Sequence, residues 1–138
     1  MKIRLSIGAL AAVGALITGY LTVAHYHGAR LVCPTSGCET VQHSRYALLV
    51  GIPVALLGLL AFVGMLATAI LDTPPAHAAG AALALTAFIF SAYLFVIQLA
   101  VIHALCTWCV TTDVATTLLL PLTWWRVRAT SSGPGAAP

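Results

Sequence analysis

Long stretches of this chain carry no formal charge, and nothing else in it constrains the fold as strongly. No Asp, Glu, Lys or Arg lies between Arg4 and Arg30, between Arg45 and Asp72, or between Asp72 and Asp113. A helix needs about 20 apolar residues to cross a hydrocarbon core about 30 Å thick, and each interval is long enough to hold one. Six basic and three acidic side chains in 138 residues also cannot coat a soluble domain, in which about 25% of residues are charged. A small domain exposes much of its surface and has the greatest need of such a coat. A soluble globular protein, a disordered chain and a nucleic-acid binder with a basic face are all excluded. The expected class is an all-α integral membrane protein.

Charges and turn residues divide the chain into four expected spans, at about 5–24, 46–71, 79–103 and 105–125. Together they make one expected membrane domain over 1–128, a four-transmembrane-helix bundle. An outer loop covers 25–45, and 129–138 reads as a disordered tail. Lys2 and Arg4 ahead of an apolar run also describe a signal peptide. Secretory apolar cores run only about 7–15 residues before a small-residue cleavage site, so the reading here is an uncleaved helix. Trp124 and Trp125 followed by Arg126 and Arg128 read as an interfacial belt and a cytoplasmic anchor. Lys2, Arg4, Arg126 and Arg128 fall on one side of a four-span chain, Arg30 and Arg45 on the other. The excess places both termini in the cytoplasm. The expected location is the cell inner membrane.

That topology brings every cysteine to the outer face. Cys33 and Cys38 bracket Pro-Thr-Ser-Gly in the loop, and Cys106 and Cys109 bracket Thr-Trp at the head of the last span. Disulfides persist on that side of the membrane. A C-x-x-C at a helix start meets unsatisfied N–H groups and a partial positive charge, which favour the reactive thiolate. Pro34 and Gly37 let the loop bend to close its own disulfide. Two dithiols on one face can then pass a disulfide between them. Three other readings stay open: a zinc site built on the C-x-x-C half-site, two static disulfides, and inert buried thiols.

The run Cys38-Glu-Thr-Val41-Gln-His-Ser44-Arg-Tyr46, then Gly51-Ile52-Pro53-Val54-Ala55 and Gly58, then Cys106-Thr-Trp-Cys109 resembles the vitamin K epoxide reductase family in its bacterial stand-alone form. The order of features matches too, with a short interfacial half-helix after the first outer loop. The resemblance implies an enzyme, a quinone-dependent oxidoreductase that forms disulfide bonds. A separate periplasmic thioredoxin-fold (DsbA-like) partner would give electrons to Cys33. Cys38 would pass them to Cys106, and Cys109 would deliver them to a membrane quinone, ubiquinone or menaquinone. It implies catalytic roles for Cys33, Cys38, Cys106, Cys109 and Ser44, and a quinone contact from Cys109; Asp113, Ser44 and Val41 are further candidate quinone contacts. No metal and no nucleic acid enter this scheme.

Other residues take supporting roles. Ser44 can hydrogen-bond a thiolate or bond back to its own helix carbonyls. Glu39 would cap the half-helix, and Pro53 would open the second span. Asp113 lies four residues past Cys109 and so shares its helix face. An ionisable residue inside a span is a functional candidate by default, here as a proton relay for quinone reduction or as a hydrated polar contact. Vertebrate family members have a Tyr at this position and use an Asn from the second helix to hold vitamin K epoxide. This sequence has Asp113 and contains no Asn, which favours plain quinone reduction. His103 can depress the Cys106 thiol pKa from three residues away. His25, His27 and His43 show no persuasive metal-ligand spacing. Phe88, Phe90, Tyr93 and Phe95 can line a quinone tail pocket or simply pack.

Overall fold

The computed structural model describes residues 2–28, 32 and 37–132, leaving out the side chains at 39, 131 and 132. Most of what it describes is helical. In chain order come α1 (Lys2–His27), the short α2 (Gly37–Gln42), α3 (Val54–Ile70), α4 (Pro74–Ile97) and α5 (Thr107–Ser132). A minimal hairpin, β1 (Leu48–Leu49) paired antiparallel with β2 (Ile52–Pro53), separates α2 from α3. The helices Lys2–His27 and Pro74–Ile102 are long and apolar enough to cross a membrane.

The expected second span, 46–71, is shorter than its apolar run suggests. Residues Arg45–Ala47 form a single 3-10 turn and the hairpin follows, so α3 begins only at Val54. An apolar run without periodicity does not distinguish strand from helix. Here Pro53 decides, because it has no N–H to donate and pushes the residue before it into extended conformation. Val50 and Gly51 turn the chain with φ of 54° and 79°, as a two-residue hairpin turn requires. With 17 residues, α3 is about 26 Å long, at the lower limit for a span.

The third and fourth expected spans also shift. α4 starts at Pro74, where proline's missing N–H costs little, and the Thr73 hydroxyl accepts the Ala76 N–H at 3.4 Å. It ends in a wider π turn, Gln98–Ile102, closed by His103 at φ 55°. α5 passes through Pro121 and continues to Ser132, so residues 129–132 of the expected disordered tail are helical. Residues 133–138 lie outside the described residues.

Each long helix packs on two others: α1 on α3 and α5, α4 on α3 and α5. Ile7, Ala11, Phe62, Met65, Ala84 and Leu119 meet in the core. Small residues permit that closeness. A Cβ on Gly14 would lie 2.3 Å from the Phe62 ring. Buried hydroxyls bond back along their own helices, Thr18 to the Gly14 carbonyl and Thr22 to the Thr18 carbonyl, both at 2.7 Å. None of them then depends on water for a partner, which a hydrocarbon surrounding cannot supply.

The α3–α4 turn carries a compact polar knot. Arg126 donates to the Thr68 carbonyl (3.1 Å) and to Asp72 (2.7 Å), and Arg4 donates to the Ala69 and Ile70 carbonyls (2.7 and 2.9 Å). His77 bridges Asp72 (2.9 Å) and Thr130 (2.6 Å). Two cations thereby cap the last carbonyls of α3, where the helix dipole favours positive charge. Arg126, expected as a surface anchor, is instead buried at 9% exposure, because the α3 carbonyls and Asp72 draw it inward. Arg128 remains at the surface, 5.8 Å over the Trp124 ring. These contacts fix the last turns of α5 as helix, where composition alone suggests a loose tail.

Candidate functional site

At the opposite end of the helices, α2 lies against the segment that leads into α5. A Cβ on Gly37 would sit 2.1 Å from the Leu105 carbonyl oxygen, so only glycine allows this approach. The contact brings Cys38 and Val41 into one small apolar cluster with Cys106, bordered by Ile102, Ala104, Trp108 and Cys109. Cys38 and Cys106 are both fully buried. Cys38 is disulfide-bonded, whereas Cys106 and Cys109 carry free thiols. Cys33 lies outside the described residues, as does the Glu39 side chain with its expected capping role.

Backbone and amide groups organise the C-x-x-C. The Cys109 N–H donates to the Cys106 sulfur at 3.4 Å, and the Cys106 N–H donates to the Gln98 side-chain oxygen at 2.9 Å. Gln98 is almost fully buried. Gln42, on α2, donates through its amide to the Cys109 sulfur at 3.4 Å. Cys106 precedes the first turn of α5. The hydrogen bond from the Cys109 thiol, aided by first-turn N–H groups and by Gln42, holds the Cys106 thiol down to about 7. The helix N-terminus supplies the smaller, backbone part of this effect.

Behind Cys109 lies a mostly apolar cavity of about 300 Å³ lined by residues of α1, α2, α3, α4 and α5. Cys109, Asp113, Gln42, Val41 and Ser44 all contribute to its wall. Ser91 donates to one oxygen of Asp113. The other, Oδ2, is buried without a partner among the described residues. Buried polar groups almost always find one, so an unpartnered oxygen beside an apolar void suits a polar group of something held there.

The site residues expected from sequence do not all behave alike. Cys38, Cys106 and Cys109 come together, and Asp113 shares a cavity wall with Cys109. Ser44 reaches the cavity, but its hydroxyl donates to the Val41 carbonyl at 2.7 Å. That is the back-bonded alternative. Of the four aromatic side chains offered as a tail pocket, Phe90 lines the cavity and Phe88, Tyr93 and Phe95 do not. His103 is exposed and serves to end the π turn. Among the described residues no three His, Cys, Asp or Glu gather as a metal site would need.

Sequence reasoning passed over Gln42, Gln98 and Ser91. Ser91 and Gln98 stand seven residues apart inside an apolar run, a spacing that shares one helix face. Two polar groups on one face of a lipid-compatible helix are the signal that was available. The family model described as the vitamin K epoxide reductase family matches residues 5–124, from the first helix to Trp124. The chain therefore belongs to the vitamin K epoxide reductase family, whose members are membrane oxidoreductases.

Proposed function

We propose that this chain takes electrons from a periplasmic thioredoxin-fold protein and passes them through two cysteine pairs to a membrane quinone, supporting disulfide formation in secreted proteins. The observation that carries the reading is the cavity behind Cys109: mostly apolar, about 300 Å³, with a wall that includes a free thiol and Asp113, one of whose carboxylate oxygens has no partner among the described residues. Ligand pockets start at about this size and combine apolar walls with a few convergent polar groups. A flat apolar ring with polar oxygens fits such a wall. A quinone held there would accept two electrons and two protons.

The chain's own residues then have distinct tasks. Cys33 forms the mixed disulfide with the partner, whose second thiol then displaces Cys33 as thiolate and leaves the partner oxidised. The Cys38 thiolate attacks Cys106 in the oxidised C-x-x-C, releasing Cys109 as thiolate, and Cys33 resolves the bond between Cys38 and Cys106. Closing the Cys106–Cys109 disulfide again gives up two electrons and two protons. Gln98 fixes the Cys106 backbone, Gln42 orients the Cys109 sulfur, and Ser91 holds Asp113 at the cavity wall, where its carboxyl can carry a proton. Val41 and Ser44 shape the wall. The four long helices cross the inner membrane as one domain, with α2 at the outer interface, both termini cytoplasmic and the cysteines outside.

The test uses purified chain in lipid nanodiscs with a reduced thioredoxin-fold protein. Trapping by acid and alkylation is expected to reveal a Cys33-dependent mixed disulfide and oxidation of the partner only when ubiquinone or menaquinone is present. A protein with static outer disulfides or a zinc site gives neither result. Asp113→Ala, assayed with saturating quinone, is expected to lose about 100-fold in turnover, the lower range for a positioned proton-transfer group. Unchanged rate and quinone affinity remove Asp113 from the mechanism.

A further inference from the structure

The outer loop is tied to the helices at a point that neither cysteine pair explains. Val32, the residue before Cys33, is 77% exposed, so burial does not hold it. Its backbone is nevertheless held from both sides. The Val32 N–H donates to the Tyr20 hydroxyl at 2.9 Å, and the Val32 carbonyl accepts the Trp108 indole N–H at 2.7 Å. The two rings meet edge to face, with centroids 5.7 Å apart and planes at 64°, a preferred aromatic geometry. Tyr20 belongs to α1, whereas Trp108 lies between Cys106 and Cys109.

We propose that Tyr20 and Trp108 form a clip on the Val32 backbone that registers the outer cysteine pair over the C-x-x-C. Trp108 is then a positioning residue for exchange between the pairs. This inference rests on the functional reading above and deepens it. The chemistry of Trp suits the task, since its indole N–H can only donate and a backbone carbonyl is its natural acceptor. The far end of the same short loop is also tied down, by Gly37 against Leu105 and by Cys38 in the cluster with Cys106. With residues 32 and 37–38 both anchored on the segment around the C-x-x-C, Cys38 is held at high effective concentration beside Cys106.

The exchange that the clip serves is balanced within the chain. The Cys38 thiolate attacks the Cys106 sulfur, the Cys106–Cys109 bond breaks and Cys109 leaves as thiolate. The Cys33 thiolate then attacks Cys38 and Cys106 leaves, so two electrons pass from the outer pair to the inner. A disulfide at Cys38 with free thiols at Cys106 and Cys109 is the product side of that exchange, and the clip is closed in it.

The test isolates one bond. In the full chain in nanodiscs, Cys33→Ser with Cys109→Ser leaves Cys38 and Cys106. Equilibration in glutathione buffers then gives the effective molarity of the Cys38–Cys106 disulfide without quinone or partner. Tyr20→Phe keeps the ring but removes the acceptor, and Trp108→Phe keeps an aromatic but removes the donor. Each is expected to lower the effective molarity about tenfold, the scale of one lost hydrogen bond, while Trp124→Phe at the other end leaves it unchanged. Values within twofold of the parent for both variants overturn the clip. Tyr20→Phe alone decides the matter if Trp108→Phe does not fold. Quinone-driven reoxidation of the unmutated chain is measured in parallel. Its absence overturns the functional reading, whereas the effective molarity judges the clip independently.

Discussion

The two ends of the packed helices solve opposite problems with similar means. Around Asp72, side chains from α1, α4 and α5 converge on one carboxylate and on the last carbonyls of α3, and charge is met by countercharge. Around Cys109, two thiols are free, one carboxylate oxygen has no partner among the described residues, and a cavity takes the place of packing. In a surrounding without water every unmet polar group is costly. The knot at one end keeps four helices in register. The openings at the other are where chemistry can occur. Substitutions at the knot should therefore change stability and spare the rate per folded molecule, and substitutions at the opening should do the reverse.

Cys109→Ser gives the largest effect and the sharpest form of the contrast. Quinone-dependent turnover is expected to fall to background while the melting temperature moves by only a few degrees, because serine fills nearly the same space. A large loss of stability would mean that the cysteine end is as structural as the Asp72 end. Gly37→Ala comes next. The added Cβ would meet the Leu105 carbonyl at 2.1 Å, so α2 must lift away and carry Cys38 from Cys106. Turnover with partner protein is expected to fall at least tenfold, while oxidation of a pre-reduced C-x-x-C by quinone continues. Equal loss in both assays would break the assignment of Gly37 to inter-pair transfer.

How much of this was legible beforehand differs between the ends. The uncharged runs revealed α1 and α4 because length and apolarity suffice for a spanning helix. They concealed the Leu48–Pro53 hairpin, since Leu, Val and Ile suit strand and helix alike when no polar residue marks a period. The cysteine spacing pointed to the candidate site, and Asp113 stood out as a charge where solubility gave no reason for one. Gln42 and Gln98 did not stand out, because an uncharged amide reveals its importance only through its partner. The Ser44 hydroxyl had two possible acceptors, and the nearer carbonyl took it. Arg126 read as a surface anchor because sequence cannot reveal that the α3 carbonyls end beside it.

The knot yields two smaller effects. Arg126→Met leaves the buried Thr68 carbonyl without its donor and is expected to cost about 1–3 kcal/mol. Thermal unfolding in detergent reads the loss, with turnover per folded molecule retained. A slower enzyme of unchanged stability would reverse the roles assigned to the two ends. The pH dependence is subtler. The hydrogen bond from Arg126, then that from His77, holds the Asp72 carboxyl down to about 2, against 3.8 in the absence of partners. A carboxyl lowered by folding contributes stability above its ordinary value and loses it as pH falls towards the lowered one. The contribution of Asp72 is therefore expected to be full at pH 5 and to disappear between about pH 4 and 2. In melting curves across this window, Asp72→Asn should flatten the slope, and an unaltered slope would contradict the knot.

The proposed exit of electrons from the chain is the cavity behind Cys109. Its most direct test is an anaerobic single-turnover measurement on the chain with Cys106 and Cys109 reduced, in nanodiscs containing a known amount of quinone. Ultraviolet absorbance follows quinone loss, and alkylation mass shift follows the thiols. The account predicts one quinone consumed for each Cys106–Cys109 disulfide formed, and none in Cys109→Ser. Thiols that stay reduced beside excess quinone, or quinone loss that persists in Cys109→Ser, would contradict it.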